Sequence, residues 1–249
     1  MKDLTDRTAL VVGASRGLGR GIAQAFAAAG APVVAVARNE TALAQLAATD
    51  PRLRTEVADA TDAAMAGRFF DQYEPSIVVL VAGASPLMRP LHHQTWETFS
   101  ANWHTDVQIA FHWLRESLLR PLSPGALVVV VSSGAALAGS PLSGGYAGAK
   151  ATQRLISGYA RDEADRAGLG ITFTTVLPRL TPLTALGAPA VRAYAARGGQ
   201  TEEAYLRQLG EPLTPERAGT ALVDLARTDP AGISPGYLLT SAGLKELPQ

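Results

Sequence analysis

The sequence predicts an α/β protein in which a doubly wound parallel β-sheet carries helices on both faces. Three observations lead to this fold class. Short runs of β-branched residues recur along the 249-residue chain. The strongest of these runs are apolar throughout, as strands of a sheet covered on both faces are. Ala-rich segments with helical spacing separate the runs, so that strand and helix alternate and right-handed crossovers are expected between parallel strands.

Seven strand segments are predicted from these runs. The clearest are SIVVLVAGA and ALVVVVS, which contain no charged residue. The run RLRTEVAD is weaker, because charged residues alternate with the others. In chain order the predicted strands cover 8–14, 32–37, 52–59, 76–84, 126–132, 170–177 and 236–240.

Six helical segments fill intervals between the predicted strands. Asn39 and Thr61 are candidate N-caps, because their side-chain oxygens can accept a hydrogen bond from an N–H group of the first turn. The Pro- and Gly-rich interval 178–199 is too long for an ordinary loop and is predicted to be a functional lid or a pair of short helices. The predicted helices cover 17–30, 39–48, 61–72, 95–120, 145–167 and 214–227.

Composition excludes several classes of function. The chain has 22 Lys plus Arg and 22 Asp plus Glu, so no excess of positive charge suggests a nucleic-acid or anionic-membrane partner. It has no cysteine, which excludes disulfides and thiolate metal sites. Neither a secretory signal nor an apolar run long enough to span a bilayer is found, so a cytoplasmic protein is expected. No linker or repeat divides the sequence, and residues 1–249 are expected to form a single domain.

A glycine-rich loop, VVGASRGLGRG, follows the first predicted strand and opens the first predicted helix. Gly13 permits a sharp exit from the strand, Gly17 lets the backbone approach a pyrophosphate, and Gly19 lets the helix pack closely against the sheet. The free N–H groups at the start of the helix then face the phosphates. The loop is interpreted as a dinucleotide-binding site, although glycines required only for packing would give the same pattern. Its other predicted cofactor contacts are Ser15, Arg16 and Leu18.

Two arginines indicate which dinucleotide is bound. Arg16 lies in the glycine-rich loop, and Arg38 follows the second predicted strand, where such a site meets the adenosine ribose. An acidic residue there would favour NAD, whereas a guanidinium can form paired charge-assisted bonds with a 2′-phosphate. NADP is therefore predicted, unless both arginines are only exposed surface residues. Asp59 ends the third predicted strand and can bond the adenine amino group or cap the helix that begins near Thr61.

The segment GGYAGAKA places Tyr146 and Lys150 four residues apart among small neighbours. Residues at this spacing lie on the same face of a helix, so the phenol and the ammonium can face one cavity. The small neighbours leave room for something to lie against that face. A bare Y-x-x-x-K is common by chance, and the alternative is a half-buried Tyr146 beside a solvated Lys150.

With these motifs in this order, the sequence resembles the short-chain dehydrogenase/reductase family over nearly its whole length. The resemblance is carried by the glycine-rich loop, Asp59, the dipeptide of Ala82 and Gly83, SSG after the fifth strand, and Y-x-x-x-K. Ser133 precedes Tyr146 by thirteen residues, the interval usual in that family. The resemblance implies a Rossmann-type seven-stranded sheet in the order 3-2-1-4-5-6-7, and a homodimer or homotetramer.

The resemblance also implies a reaction, in which NADPH reduces a carbonyl to a secondary alcohol or the reverse occurs. Tyr146 would donate a proton to the carbonyl oxygen, and Ser133 would hydrogen-bond the same oxygen. Lys150 would stabilise the phenolate and hold the nicotinamide ribose. No metal is needed, and the adjacent His92 and His93 lack a third ligand.

Three positions depart from the family's pattern. Asp106 stands where the family usually has an Asn that helps to fix a helix distortion and a water chain leading to the Lys. Asp106 can still accept hydrogen bonds and would favour the ammonium form of Lys150, so it is assigned to the catalytic set, although it could be only a local cap or ion-pair partner. Val81 replaces the Asn of the family's NAG, and Arg179 replaces the Gly that normally follows Pro178.

The segment after the sixth strand is expected to contact the nicotinamide. Pro178 and Arg179 are predicted cofactor contacts, and Arg179 could clash with the cofactor, swing outward, or bind a phosphate or an acidic substrate. Thr181 is assigned the bond to the nicotinamide side, with Thr184 as the alternative because a one-residue shift in the loop is possible. A substrate lid is expected over about 180–212.

The leading hypothesis is an NADP(H)-dependent oxidoreductase acting on a small carbonyl or alcohol, with no nucleic-acid or membrane partner. The alternative is a catalytically impaired dinucleotide-binding regulatory or scaffold protein of the same fold, which the three departures keep open. An epimerase or dehydratase with tightly held NAD is a third hypothesis, although such relatives usually carry a longer C-terminal substrate domain.

Overall fold

The computed structural model describes residues 3–248 of the chain, and the strands within them form one sheet. The strands are β1 (Ala9–Val12), β2 (Val33–Ala37), β3 (Leu53–Val57), β4 (Ile77–Leu80), β5 (Leu127–Val131), β6 (Thr172–Pro178), β7 (Gly236–Thr240) and β8 (Gly243–Glu246). Their order is β3-β2-β1-β4-β5-β6-β7-β8. The first seven run parallel, which confirms the predicted class and the order 3-2-1-4-5-6-7.

The eighth strand is a correction to the predicted count of seven. β8 pairs antiparallel with β7 across a short turn, in which Gly243 has a φ of +107°. Its sequence GLKE is short and partly exposed, so it has neither an apolar run nor a buried face from which a strand could be predicted. By contrast, every residue of β1, β4 and β5 is buried, as their apolar sequences predict.

Ten α-helices cover the two faces and the carboxyl edge of this sheet within the described residues. They are α1 (Gly17–Ala28), α2 (Glu40–Ala47), α3 (Ala63–Tyr73), α4 (Trp96–Ser100), α5 (Gln108–Leu119), α6 (Ala135–Ala138), α7 (Tyr146–Arg166), α8 (Gly187–Arg197), α9 (Glu202–Leu209) and α10 (Pro215–Arg227).

The segment predicted as one helix over 95–120 is interrupted. α4 and α5 are separated by a π-helical turn over Trp103–Val107, in which the N–H of Val107 bonds the carbonyl of Asn102 five residues earlier. A π turn accommodates one extra residue within a helix and frequently marks a functional site. The helix distortion that the family resemblance implies is therefore present, and Asp106 lies inside it.

Two predicted helix starts have different outcomes. The side chain of Asn39 accepts a hydrogen bond from the N–H of Ala42 and caps α2, as predicted. The predicted cap at Thr61 is wrong, because α3 begins two residues later and is capped by Asp62. Asp and Thr are both good N-caps, so a sequence with acceptors at adjacent positions does not distinguish them.

The interval 178–199 contains a helix rather than a long irregular loop. Of the pair of short helices predicted there, the interval contains α8 alone, because α9 begins beyond it at Glu202. The side chain of Thr201 caps α9, and Gly210 follows its last residue with a φ of +75°. Both helices lie at the carboxyl edge of the sheet, where their residues line the cavity described below.

Two apolar layers bury the sheet, one on each face. On one face α1 and α10 pack in direct backbone contact, because a Cβ added to Gly21 would lie only 2.3 Å from the carbonyl oxygen of Pro215. On the other face the fully buried ring of Trp113 donates a hydrogen bond to the carbonyl of Ala60. Among residues 3–248 no helix has the length and apolar character needed to cross a membrane.

Candidate active site

A cavity of about 1050 Å³ lies at the carboxyl ends of the parallel strands. This is the edge at which ligands bind in open α/β sheets, because loops from several strands converge there. The structure brings every predicted site residue to this one cavity. Those lining it are Gly13, Ser15, Arg16, Gly17, Leu18, Gly19, Arg38, Asp59, Ala82, Gly83, Asp106, Ser133, Tyr146, Lys150, Pro178, Arg179 and Thr181.

The glycine-rich loop has the shape that a nucleotide phosphate requires. Gly13 has a φ of +101°, and a Cβ there would lie 2.5 Å from the backbone nitrogen of Ala82. A Cβ on Gly19 would lie 2.2 Å from the carbonyl oxygen of Gly13. Arg16 is the N-cap residue of α1, and no side chain in the described part of the chain caps this helix, so its first N–H groups are open to an anion. The loop and its helix therefore fit a dinucleotide pyrophosphate.

The rim of the cavity carries opposite charges. Nη1 of Arg38 lies 4.0 Å from Oδ2 of Asp59, and both side chains are largely exposed. Oδ1 of Asp59 accepts hydrogen bonds from the N–H and the hydroxyl of Thr61, and these bonds, more than Arg38, hold the pKa of Asp59 below its usual value. Asp59 does not cap α3, whose N-cap is Asp62; it closes a turn before that helix, and its bond to the adenine amino group stays a prediction.

Tyr146 and Lys150 occupy the first two turns of α7 and face the cavity together. The ammonium nitrogen of Lys150 lies 5.6 Å from the ring centroid of Tyr146, and both side chains are buried. A Cβ on the neighbouring Gly145 would lie 2.2 Å from the carbonyl oxygen of Phe99. The small residue before Tyr146 therefore admits a neighbouring helix, and the space expected beside this segment is partly filled by the protein itself.

Ser133 follows β5 at the start of a short turn. Its hydroxyl oxygen accepts a hydrogen bond from the N–H of Ala135 at 3.2 Å, which leaves its proton available to an acceptor in the cavity. The preceding Ser132 is buried and donates to the carbonyl of Lys150, so that the strand end is attached to the helix that carries the lysine.

Asp106 forms a buried ion pair with Lys150. Its Oδ2 lies 3.1 Å from the ammonium nitrogen, and its side chain has no exposed surface. Oδ1 accepts a hydrogen bond from the N–H of Ala84 at 2.8 Å. A Cβ on Gly83 would lie 2.7 Å from Oδ2, so the glycine after β4 makes room for this carboxylate. Asp106 is thus an ion-pair partner inside the site, and not merely a helix cap.

The ion pair keeps Lys150 charged. Burial disfavours the ammonium form, but the negative charge of Asp106, helped by Tyr146, more than offsets burial, and the pKa of Lys150 lies above its ordinary value. A buried ammonium without such a partner would lose its proton much more readily.

Sequence reasoning missed two further members of this cluster. Gln153 is buried, accepts a hydrogen bond from Lys150 and donates one to the main chain of Asp106. Asn102 is also buried and donates to Oδ1 of Asp106 and to the carbonyl of Ala84. Helical spacing places each of them on the same face as a predicted site residue, three or four residues away, but it does not show that Gln153 bonds a residue of another helix.

The segment after β6 lines part of the cavity. Arg179 donates its backbone N–H to the carbonyl of Leu239, and its exposed side chain borders the cavity, so its contact with the cofactor or the substrate stays a prediction. The buried hydroxyl of Thr181 donates its proton to the carbonyl of Leu213, and the assignment of Thr181 to the nicotinamide side stays a prediction. Thr184 instead lies against the glycine-rich loop, with Cγ2 3.4 Å from where a Cβ on Gly17 would be.

The outer end of the cavity is formed by aromatic and small polar residues. The hydroxyl of Tyr194 on α8 lies 2.6 Å from that of Ser140. The ring of Tyr205 on α9 stacks on Tyr194 at an interplanar angle of 16°. Among the described residues, no three His, Cys, Asp or Glu side chains are grouped as metal ligands would be.

Comparisons with known proteins agree with this arrangement. A family model described as short chain dehydrogenase matches residues 7–194. The A-factor type gamma-butyrolactone 1'-reductase (1S-forming) of Streptomyces virginiae is 31% identical over 227 residues, which cover 86% of this chain and 84% of that protein. The hydroxynaphthalene reductase-like protein Arp2 of Metarhizium robertsii is 28% identical over 71% of this chain and 69% of that protein.

Two further comparisons support less, one because the match is partial and the other because the identity is low. L-xylulose reductase of Mesocricetus auratus is 32% identical over 133 residues, and the match spans only 54% of that protein's length. A crystal structure of NAD+-bound xylitol dehydrogenase superposes with a TM-score of 0.83 over 96% of this chain and 100% of that one, at 18% identity. At that identity the superposition establishes the fold alone.

Proposed function

This chain belongs to the short-chain dehydrogenase family, whose oxidoreductases interconvert carbonyls and alcohols, and we propose that it does so with NADP(H) on a small-molecule substrate. The observation that carries the proposal is the convergence of Ser133, Tyr146 and Lys150 on the cavity that also contains the glycine-rich loop. A protein that only bound a nucleotide would not need a buried ammonium beside a phenol.

The proposed chemistry divides between cofactor and protein. When bound, a nicotinamide dinucleotide supplies or accepts the hydride. The hydroxyl of Tyr146 gives its proton to the carbonyl oxygen during reduction and takes the proton back during oxidation. The free proton of Ser133 hydrogen-bonds the same oxygen and stabilises its developing negative charge. Lys150 favours the phenolate that Tyr146 becomes, because its ammonium lies close to the ring.

Preference for NADP is proposed from the charges at the adenosine end. Arg16 immediately precedes α1, and Arg38 immediately follows β2. Both residues line the cavity, and both side chains are exposed. Arg38 is held only by a loose 4.0 Å pair with Asp59, so it is free to turn toward a 2′-phosphate. A cofactor without that phosphate would gain nothing from either arginine.

A homo-oligomer and a closing lid are also proposed. Four large apolar side chains are exposed on α5 and α7, which supports pairing of these helices with a second copy; they are Phe111, Leu119, Leu155 and Tyr159. The lid is proposed to comprise α8 and α9, because Tyr194 and Tyr205 line the outer end of the cavity. A single domain over 1–249 and a cytoplasmic location remain proposals as well.

The experiment is a panel of aldehydes, ketones and secondary alcohols with NADPH oxidation or NADP reduction as the readout. Turnover of a carbonyl with NADPH, lost in Tyr146→Phe, would support the oxidoreductase. NADPH binding without turnover of any member would favour the alternative, a dinucleotide-binding regulatory or scaffold protein. This alternative is retained because Val81, Asp106 and Arg179 differ from the residues usual in the family at these positions.

A further inference from the structure

We propose that Gln153 is a positioning residue: its side-chain amide joins the Lys150 ammonium to the main-chain carbonyl of Asp106 and so fixes the ammonium beside Tyr146. The inference rests on the proposed function, because it assigns Gln153 a part in the reaction attributed to Tyr146 and Lys150. It concerns a residue that neither the motifs nor the comparisons assign to the site.

Both ends of the Gln153 side chain are engaged. Its Oε1 accepts a hydrogen bond from the ammonium of Lys150 at 3.0 Å, and its Nε2 donates to the carbonyl oxygen of Asp106 at 2.8 Å. The residue is only 1% exposed. It lies three residues after Lys150 and seven after Tyr146, on the same face of α7. An amide is suited to this place because it offers an acceptor to the cation and a donor to the carbonyl.

The ammonium of Lys150 depends on few partners. It has three N–H donors, and three acceptors lie within reach: Oε1 of Gln153 at 3.0 Å, Oδ2 of Asp106 at 3.1 Å and the carbonyl oxygen of Val131 at 3.5 Å. The last is long for a hydrogen bond. Within residues 3–248, Gln153 therefore supplies one of the two close contacts, and the only one from a neutral side chain.

Gln153 also ties the ion pair together through the backbone. Asp106 belongs to the π turn between α4 and α5, whereas Lys150 belongs to α7. The bond from Nε2 to the Asp106 carbonyl attaches that turn to the helix that carries the lysine. The side chain of Asp106 is held separately, because Asn102 donates a hydrogen bond to its Oδ1. Loss of Gln153 would leave the carboxylate in place but free the ammonium to move relative to it.

The test uses Gln153→Met, which keeps the length and bulk of the side chain and removes both hydrogen bonds. The sequence has only three lysines, Lys2, Lys150 and Lys245, so lysine-labelled protein gives an NMR titration in which the buried Lys150 is readily identified. The variant should lower the pH at which Lys150 loses its proton. In steady-state assays it should reduce kcat roughly tenfold while changing KM for NADPH by less than about threefold.

The conservative and control variants make the outcome specific. Gln153→Glu keeps an acceptor for the ammonium and should leave the Lys150 titration at or above the wild-type pH. Thr174→Val removes a buried hydroxyl that bonds the carbonyl of Ser234, away from the cavity, and should lower only the melting temperature. If Gln153→Met does not fold, Gln153→Asn, whose amide is too short to bridge both partners, carries the same expectations.

The proposal is overturned if the Gln153 variant loses stability as Thr174→Val does while its Lys150 titration and kcat match the wild type. Its failure is distinguishable from failure of the proposed function. A wild-type protein that turns over no carbonyl would refute the function, whereas the lysine titration needs no substrate and would still decide whether Gln153 holds Lys150.

Discussion

The ammonium nitrogen of Lys150 lies 3.1 Å from Oδ2 of Asp106, and neither side chain is open to solvent. The pair is therefore close to electrically neutral at the point where the family resemblance implies a lone positive charge. Its carboxylate is fixed by Ala84 and Asn102, and its ammonium is held by Gln153, so the two charges cannot separate without breaking other bonds. Several consequences of this arrangement and of the cavity can be measured.

The carboxylate should control the pH range of reduction. In Asp106→Asn the alkaline limit of kcat for ketone reduction should move to lower pH, because Lys150 loses the carboxylate that raises its pKa. A buried Lys150 without that partner loses its charge sooner, and the negative charge left on the Tyr146 oxygen after proton transfer then has no ammonium to stabilise it. The measurement is the pH–rate profile of both proteins, and an unchanged profile would place Asp106 outside the reaction.

The same pair should make stability depend on pH in the alkaline range. The pKa of Lys150 is raised on folding, so its contribution is present below the ordinary lysine value, about 10.4, and is lost as the pH rises from there toward the higher pKa of the folded state. The double variant Asp106→Asn/Lys150→Met lacks both charges. The free energy of unfolding of the wild type, relative to that variant, should therefore fall above about pH 10; urea titrations that show a constant difference would contradict this.

Tyr146→Phe should remove turnover without preventing nucleotide binding. The substitution deletes the proton donor and keeps the ring, so kcat should fall by roughly 10² to 10⁴ while the Kd for NADPH changes little. Tyr159→Phe is the matched control, because Tyr159 lies on the same helix but is 61% exposed on the outer surface. Substantial activity in the Tyr146 variant would refute the assignment of the proton donor.

Arg38→Asp should reverse or narrow the choice of cofactor. Loss of a charged hydrogen-bonding partner and gain of a repelling carboxylate should weaken NADPH binding by roughly 10- to 100-fold, and NADH should lose much less. Arg166→Asp makes the same change of charge near the end of α7, away from the cavity, and controls for a general effect. Equal affinity of the wild type for NADPH and NADH, measured by fluorescence titration, would count against the arginine argument.

Gly13→Ala should damage both stability and nucleotide binding. The residue has a φ of +101°, and its new Cβ would lie 2.5 Å from the backbone nitrogen of Ala82, so the loop must move. Gly125→Ala is the control, because Gly125 has a φ of +88° but no atom near its Cβ position. Strain alone costs about 1–2 kcal/mol, and urea unfolding should show a larger loss for Gly13→Ala. If both variants lost the same free energy of unfolding, the contact between the new Cβ of residue 13 and Ala82 would not be the cause of the loss.

Much of the sheet could be predicted because its strands are wholly buried. An apolar run such as LVVVV in β5 is stable only as a strand that is covered on both faces. The alternation of such strands with helices predicts that neighbouring strands run parallel. β8 could not be predicted, because four residues with a polar, partly exposed sequence carry no periodic signal. β8 is held in place by its pairing with β7, and this pairing becomes visible only in the folded structure.

The part of the candidate site whose residues belong to short motifs could be predicted from the sequence. The glycine-rich loop and Y-x-x-x-K each define a local geometry, so their convergence on one cavity was expected. The role of Gln153 depends on which helix packs beside α7, and Thr181 was assigned to the nicotinamide although its hydroxyl bonds Leu213 thirty-two residues away. Contacts of this kind depend on long-range packing, which residue spacing does not report.

The π turn between α4 and α5 also constrains how this chain can change in length. Deleting one residue from the turn, such as the exposed His104, would restore ordinary helical winding. Because the turn absorbs one extra residue, the segments before and after it would keep their relative orientation, and the residues inside the turn would have to take new positions. Asp106 lies inside the turn, so we expect the deletion to break its contact with Lys150 while the flanking helices still pack.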